Sequence, residues 1–178
     1  MPKHLKKLSE ELIHQNPWWE YKHDRYEKPN GEVGDYWYGE EHGSVMIVPV
    51  LPDGRLILTL QHRYLPDKQS MEFPGGGVLD NISVLDSAKQ ELYEETGYTA
   101  DEWTGMGNFE ALAGFFKSKT HVYLAKVTAQ GQQHLDDTEE IEIVQRRPDE
   151  FDELIARGEI LDGKTLAVWA LVRHYFIA

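Results

Sequence analysis

Three consecutive glycines at positions 75–77 stand shortly before a segment that is rich in glutamate. In that segment, Ala88 and Leu92 have the spacing of an inward helical face, which predicts a helix over residues 83–96. Gly97 follows directly, and glycine commonly ends a helix in the left-handed conformation. We therefore expect a glycine loop, whose backbone takes conformations closed to other residues, followed by one well-defined helix.

The first forty residues differ in character from the rest of the chain. Four apolar residues have the spacing of one helical face and predict a short helix over residues 6–14; they are Leu5, Leu8, Leu12 and Ile13. Residues 18–38 are rich in aromatic side chains and contain Pro29-Asn30-Gly31, a turn signal that predicts an antiparallel hairpin. We therefore divide the chain into an N-terminal helix and hairpin, residues 1–40, and a main domain, residues 41–178.

Short strands and helices follow one another irregularly in the main domain. Asp53-Gly54 joins two apolar runs and predicts a second hairpin. Further strands are predicted over residues 69–74, 103–109, 121–127 and 141–144, and closing helices over residues 148–157 and 164–176. Because the order lacks the regular alternation of a doubly wound sheet, we expect an α/β fold in which helices cover both faces of a mixed sheet.

The composition indicates one globular protein without disulfides. A chain of 178 residues that is 40% hydrophobic can build a single core with a small appendage. The absence of cysteine excludes disulfides, thiolate zinc sites and cysteine nucleophiles. A net charge of −13 disfavours sequence-independent binding to nucleic acid. Because the sequence has neither an apolar run of about 20 residues nor a secretory signal, we expect a cytoplasmic protein that does not bind a membrane.

Three glutamates on the predicted helix form a candidate metal site. Glu91, Glu94 and Glu95 stand at i, i+3 and i+4, so their carboxylates project from one face. These like charges repel one another near the end of the helix, where negative charge is unfavourable, so we expect a cation beside them. Carboxylate oxygens select Mg²⁺, Mn²⁺ or Ca²⁺ over softer metals. The alternative interpretation is a solvated acidic helix face.

The segment GGVLDNISVLDSAKQELYEETGY, residues 76–98, resembles the Nudix box. The family pattern is GX5EX7REUXEEXGU, where U is a bulky apolar residue, and its glycine falls on Gly76. Its REUXEE core falls on residues 90–95, which include all three glutamates of the candidate metal site. The strand pattern on both sides of the box is also similar to that of this family, so the resemblance covers most of the chain.

Two positions depart from the family pattern. Ile82 stands where the family has its first glutamate, and Gln90 stands where it has an arginine. In the family, these two side chains are expected to pair and to brace the loop against the helix. We expect apolar packing and weaker hydrogen bonding to replace that pair, since exchanging both partners costs less than removing one. The alternative is a non-catalytic relative with a degenerate box.

The resemblance implies a Nudix-type α/β/α sandwich that hydrolyses a nucleoside diphosphate linked to another moiety, with Mg²⁺ or Mn²⁺ as cofactor. It implies Glu91 and Glu95 as metal ligands, with Glu94 and the carbonyl of Gly75 beside them. Glu94 is also implied as a catalytic carboxylate, since one of the carboxylates can take the proton of the attacking water.

A further acidic pair lies in the loop before the strand predicted at residues 141–144. In the enzymes that the chain resembles, a glutamate of this loop acts as general base or metal partner, and Glu139 or Glu140 matches it by position. The sequence does not decide between the two. An acidic surface loop is the alternative interpretation.

Several features resemble the branch of ADP-ribose and nucleoside diphosphate sugar pyrophosphatases. Arg63 matches the arginine that binds the diphosphate, and Glu72 is expected to support the loop or to contact the substrate. Gly76 is expected to bring the backbone close to the substrate. Trp37 and Tyr38 are candidates for stacking on the nucleobase, although strand aromatics more often pack in a core or a dimer contact.

The same branch exchanges its N-terminal hairpin between two subunits, so the resemblance implies a homodimer to which residues 1–40 contribute. One departure lies at residues 111–114, where ALAG stands in place of a proline-containing turn. We expect hydrolysis of nucleoside diphosphate sugars, ADP-ribose included, to a nucleoside monophosphate and a sugar phosphate. The alternatives are a pyrophosphohydrolase for a dinucleotide or a nucleoside triphosphate, and a non-catalytic nucleotide-binding module.

Overall fold

A computed structural model describes Met1 and residues 4–176 of the chain. The chain forms two compact units. The first unit comprises residues 1–42 and 110–119, and the second comprises residues 43–109 and 120–178. No helix among the described residues has both the length and the apolar character needed to cross a membrane.

The first unit is a four-stranded sheet in the order β1-β2-β3-β9. Its strands are β1 (Lys6–Gln15), β2 (Glu20–Glu27), β3 (Val33–Glu40) and β9 (Phe116–Lys117). Neighbouring strands are antiparallel except for the parallel pair of β3 and β9. At the first turn, the Asn16 side chain accepts hydrogen bonds from the Trp18 and Trp19 backbone, and at the second turn Gly31 has a φ of 88°. The predicted aromatic hairpin is therefore present as β2 and β3.

The predicted N-terminal helix is wrong, because these residues form β1. The strand pairs with β2 along its whole length, from Lys6 opposite Glu27 to Gln15 opposite Glu20. The register shifts at Leu8 and again at Ile13, as expected when a bulge inserts one extra residue. These two insertions break the alternation of a regular strand and produce an apolar spacing that imitates a helix.

The second unit is built on a seven-stranded mixed sheet in the order β11-β5-β4-β10-β8, to which β6 and β7 add at β5 and β4. The strands are β4 (Ser44–Val50), β5 (Leu56–Arg63), β6 (Lys68–Glu72), β7 (Gly75–Gly77), β8 (Tyr98–Glu110), β10 (Lys119–Gln130) and β11 (Ile141–Arg146). The pair of β4 and β10 is parallel, whereas β5 is antiparallel to β4, β6 and β11. The predicted mixed sheet is therefore confirmed.

Helices cover both faces of this sheet, as predicted. They are α1 (Val84–Thr96), α2 (Pro148–Ala156) and α3 (Gly163–Val172), and a short 3₁₀ helix (Arg173–Tyr175) follows α3. Successive residues of β4 point to opposite faces. Val45 and Ile47 share a buried cluster with Leu92 of α1, whereas Met46 and Val48 share another with residues of α2 and α3.

The caps of α1 follow from its sequence. Ser83 is the N-cap, and its Oγ accepts a hydrogen bond from the backbone N–H of Asp86 over 3.0 Å. Gly97 ends the helix at a φ of 70°, and its N–H donates to the Tyr93 carbonyl. The prediction for residues 83–97 is therefore confirmed at both ends, and these caps fix which turns of α1 carry the glutamates.

Candidate active site

The three glycines form a short strand, not the expected loop. They constitute β7, which pairs antiparallel with β4, and none of them has a positive φ. Glycine is needed here for space. A Cβ on Gly75 would lie 2.2 Å from the Val45 carbonyl oxygen, and a Cβ on Gly76 would lie 2.4 Å from the carboxylate of Glu91. The backbone of β7 therefore lies directly against one of the predicted metal ligands.

Glu95 is held against the same strand. Its side chain is buried, and its Oε2 accepts a hydrogen bond from the Gly75 backbone N–H over 2.9 Å. Glu91 lies one helical turn earlier on the same face of α1, because residues at i and i+4 are neighbours on a helix. The structure therefore brings Glu91, Glu95 and β7 together at one place.

The environment of these two glutamates favours their neutral forms. Burial raises the pKa of Glu95 to about 8, with a further increase from Glu91 and Glu139. Burial likewise raises the pKa of Glu91 to about 7, and the charges of Glu94, Glu139 and Asp136 add to this effect. A cation placed between Glu91 and Glu95 would reverse both effects, since an opposite charge favours the ionised carboxylate.

Glu94 is less closely involved. It is half-buried, and its Oε1 accepts a hydrogen bond from Nε2 of Gln90 over 2.9 Å. Ile82, which was expected to pack in place of a family glutamate, is instead 42% exposed. Gln90 therefore binds to the acidic cluster and not to Ile82. Contrary to expectation, Ile82 and Gln90 do not replace the family's charged pair in bracing this loop.

Ser87, which the sequence analysis did not single out, braces the loop between β7 and α1. Its Oγ accepts a hydrogen bond from the Leu79 backbone N–H over 3.1 Å and donates to the Ser83 carbonyl over 3.3 Å. Ser87 is buried on the inward face of α1 beside Ala88. The sequence signal that could have identified it is a serine on the apolar face of the predicted helix. The loop is therefore fixed to α1 without the family's charged pair.

The segment at residues 131–134 is tied to the carboxyl end of α1. Gln133 donates from Nε2 to the Glu95 carbonyl over 2.6 Å, and the His134 N–H donates to the Glu94 carbonyl over 2.9 Å. These bonds satisfy carbonyl groups that a helix end leaves without partners. Gln133 is a further residue that the sequence analysis missed, because a single amide in a polar loop has no distinguishing pattern. The loop that carries Glu139 and Glu140 therefore starts at the helix that carries Glu91 and Glu95.

The two candidate bases differ in their relation to the site. Of the described charges, Glu139 is among those that raise the pKa of both Glu91 and Glu95, whereas Glu140 is not among the main contributors to either. The Glu139 carboxylate also accepts a hydrogen bond from the Asp136 backbone N–H over 3.1 Å. Both side chains are exposed. Glu139 is thus within electrostatic range of both Glu91 and Glu95.

Arg63 and Glu72 form a bidentate pair at the ends of β5 and β6. Arg63 Nε donates to Glu72 Oε1 over 2.7 Å, and Nη2 donates to Oε2 over 2.5 Å. Glu72 is 4% exposed, so this pair gives a buried carboxylate two charge-assisted hydrogen bonds. Glu72 raises the pKa of Arg63, and the charges of Asp162 and Glu95 raise it further. Arg63 therefore lies within electrostatic range of Glu95.

Trp37 and Tyr38 belong to the first unit. The Trp37 ring is 48% exposed and stacks on His23, with centroids 3.9 Å apart. Tyr38 is buried, and its hydroxyl accepts a hydrogen bond from Lys7 Nζ over 3.3 Å. Trp37 is therefore substantially exposed, although its ring also stacks on Tyr21, while Tyr38 follows the alternative of packing inside the sheet.

The acidic residues around α1 suit a divalent cation whose remaining coordination positions are filled by waters and phosphate oxygens. In the part of the chain that the structure describes, no three Asp, Glu or His side chains are assembled as a closed metal site. Glu95, which is buried, and Glu91, which is half-buried, nevertheless provide two carboxylates with raised pKa values beside the backbone of β7. Mg²⁺ is commonly bound by one or two carboxylates, with waters and substrate phosphates filling the other positions.

Comparison with known proteins agrees with this geometry. The NUDIX domain family matches residues 40–167, which contain α1, β7 and the segment with Glu139. The chain belongs to this family. Its resemblance to the Nudix box is therefore confirmed, and it carries the domain of Nudix hydrolases, enzymes that generally use a divalent metal.

Relatives of this Nudix protein match it over most of its length. It is 29% identical over 141 residues to the ADP-ribose pyrophosphatase of Bacillus subtilis (strain 168), covering 78% of this chain and 76% of the relative. It is 31% identical over 139 residues to the GDP-mannose pyrophosphatase of Yersinia enterocolitica, covering 72% of each. A crystal structure of an ADP compounds hydrolase superposes with a TM-score of 0.83 at 22% identity, covering 97% of this chain and 94% of that one. The last comparison confirms the Nudix-type α/β fold.

The raised pKa values predict a pH-dependent stability of the metal-free Nudix domain. The folded protein holds protons on Glu95 and Glu91 up to about pH 8 and 7, whereas the unfolded chain releases them near 4.5. The free energy of unfolding should therefore fall as the pH rises from about 4.5 to 8. In EDTA we expect the melting temperature to fall by roughly 5 °C or more across this range. For a chain of this size, each kcal/mol lost from the free energy of unfolding lowers the melting temperature by about 2–4 °C.

The double variant Glu91→Gln/Glu95→Gln is the matched control, because it keeps both side-chain shapes and removes both titrations. Thermal unfolding of the two proteins should show a clearly flatter pH dependence for the variant. Adding Mg²⁺ should stabilise the unmodified protein more at pH 8 than at pH 5.5, since binding requires the ionised carboxylates. Parallel pH profiles in EDTA would contradict the assignment of raised pKa values to this pair.

Proposed function

We propose that this protein hydrolyses the diphosphate bond of nucleoside diphosphate sugars, ADP-ribose included, with Mg²⁺ or Mn²⁺ as cofactor. The products are a nucleoside monophosphate and a sugar phosphate. The observation that carries the proposal is the pair of Glu91 and Glu95, which lie against the glycine strand, with Arg63 within electrostatic range of Glu95. The names of the Bacillus and Yersinia relatives support this substrate class.

Each residue has a distinct part in the proposed reaction. Glu91 and Glu95 hold the metal, with Glu94 at the edge of the cluster and the Gly75 carbonyl as a backbone ligand. When bound, the metal polarises the phosphoryl oxygens and orients the attacking water. Gly76 lets the Glu91 carboxylate lie against the backbone of β7, beside the substrate phosphate. The Nη1 donors of Arg63, which take no part in the pair with Glu72, hold the diphosphate.

The bond changes are those of a hydrolysis. A new bond forms between the water oxygen and one phosphorus atom, and the bond from that phosphorus to the bridging oxygen breaks. The bridging oxygen leaves on the other phosphate group, and the proton of the attacking water passes to a carboxylate. We assign this proton to Glu139, because its charge reaches both metal-binding glutamates.

The assignment of the base predicts different results for two neighbouring variants. Glu139→Gln should lower kcat by about 100-fold or more, which is the range for loss of a general base, with little change in KM. Glu140→Gln should stay within about threefold of the unmodified protein. Steady-state kinetics of both variants at one Mg²⁺ concentration make the comparison, and a larger loss for Glu140→Gln would reverse the assignment.

A substrate panel tests the proposed function. The purified protein is incubated with Mg²⁺ and ADP-ribose, ADP-glucose, GDP-mannose, a dinucleoside polyphosphate or a nucleoside triphosphate, and released phosphoryl products are measured. We expect the sugar compounds to have the highest kcat/KM. If the dinucleoside polyphosphate or the nucleoside triphosphate had the highest kcat/KM, that compound class would replace nucleoside diphosphate sugars as the proposed substrate. Nucleotide binding without turnover of any member would show a binding module instead.

We also propose that the protein is a homodimer formed through residues 1–40. The first strand supports this, since all ten residues of β1 are exposed and Leu8, Leu12 and Ile13 present apolar side chains. Trp18 is 78% exposed beside the same strand end. Apolar side chains grouped on a surface commonly mark an interface between proteins. Sedimentation equilibrium measures the mass directly, and a monomer at micromolar concentration would contradict the proposal.

A further inference from the structure

A cleft of about 690 Å³ opens between the turn that joins β5 to β6 and the start of α3. Its volume falls in the range of about 300–1,000 Å³ that is usual for small-molecule sites. Tyr64 and Leu161 provide apolar surface at this cleft, while Arg63, Ser70 and Lys164 provide polar groups. The cleft is thus amphipathic, and it includes the arginine proposed to hold the diphosphate.

Ser70 gives the cleft an unusual polar group. Its side chain is fully buried, and its Oγ has no hydrogen-bond partner among residues 4–176 and Met1. Buried hydroxyl groups normally have a partner, because leaving one unpaired is costly. Thr59 on the adjacent strand β5 is equally buried, but its Oγ1 donates to the Glu72 carbonyl over 3.3 Å. Ser70 is among the residues that line the cleft, and its Oγ has hydrogen-bonding capacity that the described residues do not use.

Two cations, Arg63 and Lys164, line the cleft together with the carboxylates of Glu72 and Asp162. Arg63 interacts electrostatically with Asp162 at the cleft and with Glu95 on α1. Lys164, at the start of α3, is oriented by a hydrogen bond from its Nζ to Ser44 Oγ over 3.0 Å. Because Arg63 and Lys164 line the same cleft, a ligand whose phosphate binds Arg63 can extend into it.

We propose that this cleft binds the sugar that the diphosphate carries, with a sugar hydroxyl bonded to Ser70 Oγ and the adjoining phosphate held by Arg63 and Lys164. The inference rests on the proposed function and specifies the part of the substrate that determines selectivity. A sugar fits better than a nucleobase, because the cleft has one aromatic side chain, Tyr64, and not the two faces that enclose a flat ring. A serine hydroxyl can donate one hydrogen bond and accept others, which matches the groups of a sugar.

The test compares ADP-ribose and ADP-glucose with the β-methyl ester of ADP, which has the same diphosphate but no sugar on its β-phosphate. For each protein, the KM of the sugar compound is divided by the KM of the methyl ester. Ser70→Ala should raise this ratio about fivefold, the effect of one neutral hydrogen bond. Ser70→Val, which also fills the space, should raise it by about tenfold or more, and Ser70→Thr should retain more of the selectivity than Ser70→Val.

Thr59→Val is the matched control, because it removes a buried hydroxyl that is already paired within the protein. It should lower the melting temperature and leave the KM ratio unchanged, whereas Ser70→Ala should raise the ratio without lowering the melting temperature. Equal ratios in the unmodified protein and Ser70→Val would overturn the sugar site while leaving the proposed hydrolysis intact.

If the unmodified protein hydrolyses none of these compounds, the proposed function fails, and the cleft is tested by calorimetry with ribose 5-phosphate. Binding that Ser70→Val weakens by about tenfold would support the site. Absent binding, or binding equal in both proteins, would overturn it.

Discussion

Glu95→Gln should reduce kcat by at least about 100-fold while the protein remains folded. Glutamine keeps the volume of the side chain, and its oxygen can still accept the hydrogen bond from the Gly75 N–H. The variant nevertheless loses the charge that a metal requires. Loss of a residue that hydrogen-bonds to a metal ligand typically lowers metal affinity or activity by about 10–100-fold. Loss of a ligand itself should lower activity further. Kinetics over a range of Mg²⁺ concentrations would show whether added metal restores any activity.

The stability of Glu95→Gln separates a catalytic effect from a folding defect. Because the native carboxylate is buried and has a raised pKa, its replacement by a neutral amide should raise the melting temperature of the metal-free protein near pH 8. Glu94→Gln serves as the matched control on the same helix, and it should lose less activity because Glu94 is less buried and is bonded to Gln90. An unchanged rate in Glu95→Gln would remove Glu95 from the proposed metal site.

Arg63→Ala should reduce both stability and activity. The substitution leaves Glu72 as a buried carboxylate without its bidentate partner. Removing one partner of a buried ion pair costs about 3–5 kcal/mol, and the half-exposed position of Arg63 favours the lower end. We expect a fall of roughly 6–12 °C in melting temperature. Loss of a charged hydrogen-bond donor to the diphosphate should reduce kcat/KM by about 10–100-fold.

A double variant distinguishes the two effects. Arg63→Ala/Glu72→Gln removes the stranded charge, so it should recover much of the lost stability but none of the lost activity. Arg63→Lys keeps a positive charge without the planar fork, and it should be intermediate in both measurements. If the double variant regained activity together with stability, the role of Arg63 would be to position Glu72 and not to bind the diphosphate.

Local patterns were sufficient to predict most of the second unit. The turn at Asp53-Gly54, the inward spacing of Ala88 and Leu92, and the terminal Gly97 each have a direct local cause, and the hairpin and α1 follow from them. The prediction of an N-terminal helix was wrong for a non-local reason. Its pairing with β2 and its two bulges are set by another segment of the chain, and no pattern within residues 6–14 records them.

The candidate site was predictable where residues share one helix, and less so where the fold brings separate segments together. Glu91 and Glu95 follow from their spacing and from the family resemblance. The proposed choice of Glu139 over Glu140 rests on which of two exposed loop carboxylates lies within electrostatic range of Glu91 and Glu95. The Ser70 hydroxyl lacks a partner among the described residues because of packing alone, so the sequence contains no sign of it.

The two glycines that face β4 and α1 are required by different neighbours. At Gly75 a side chain would collide with backbone atoms of Val45 and Met46, whereas at Gly76 it would collide with the Glu91 carboxylate. Evolution should therefore treat the two positions differently. In a descendant that had lost Glu91 and with it the chemistry, position 76 could drift to alanine or serine, while position 75 would remain glycine for as long as the fold itself survived.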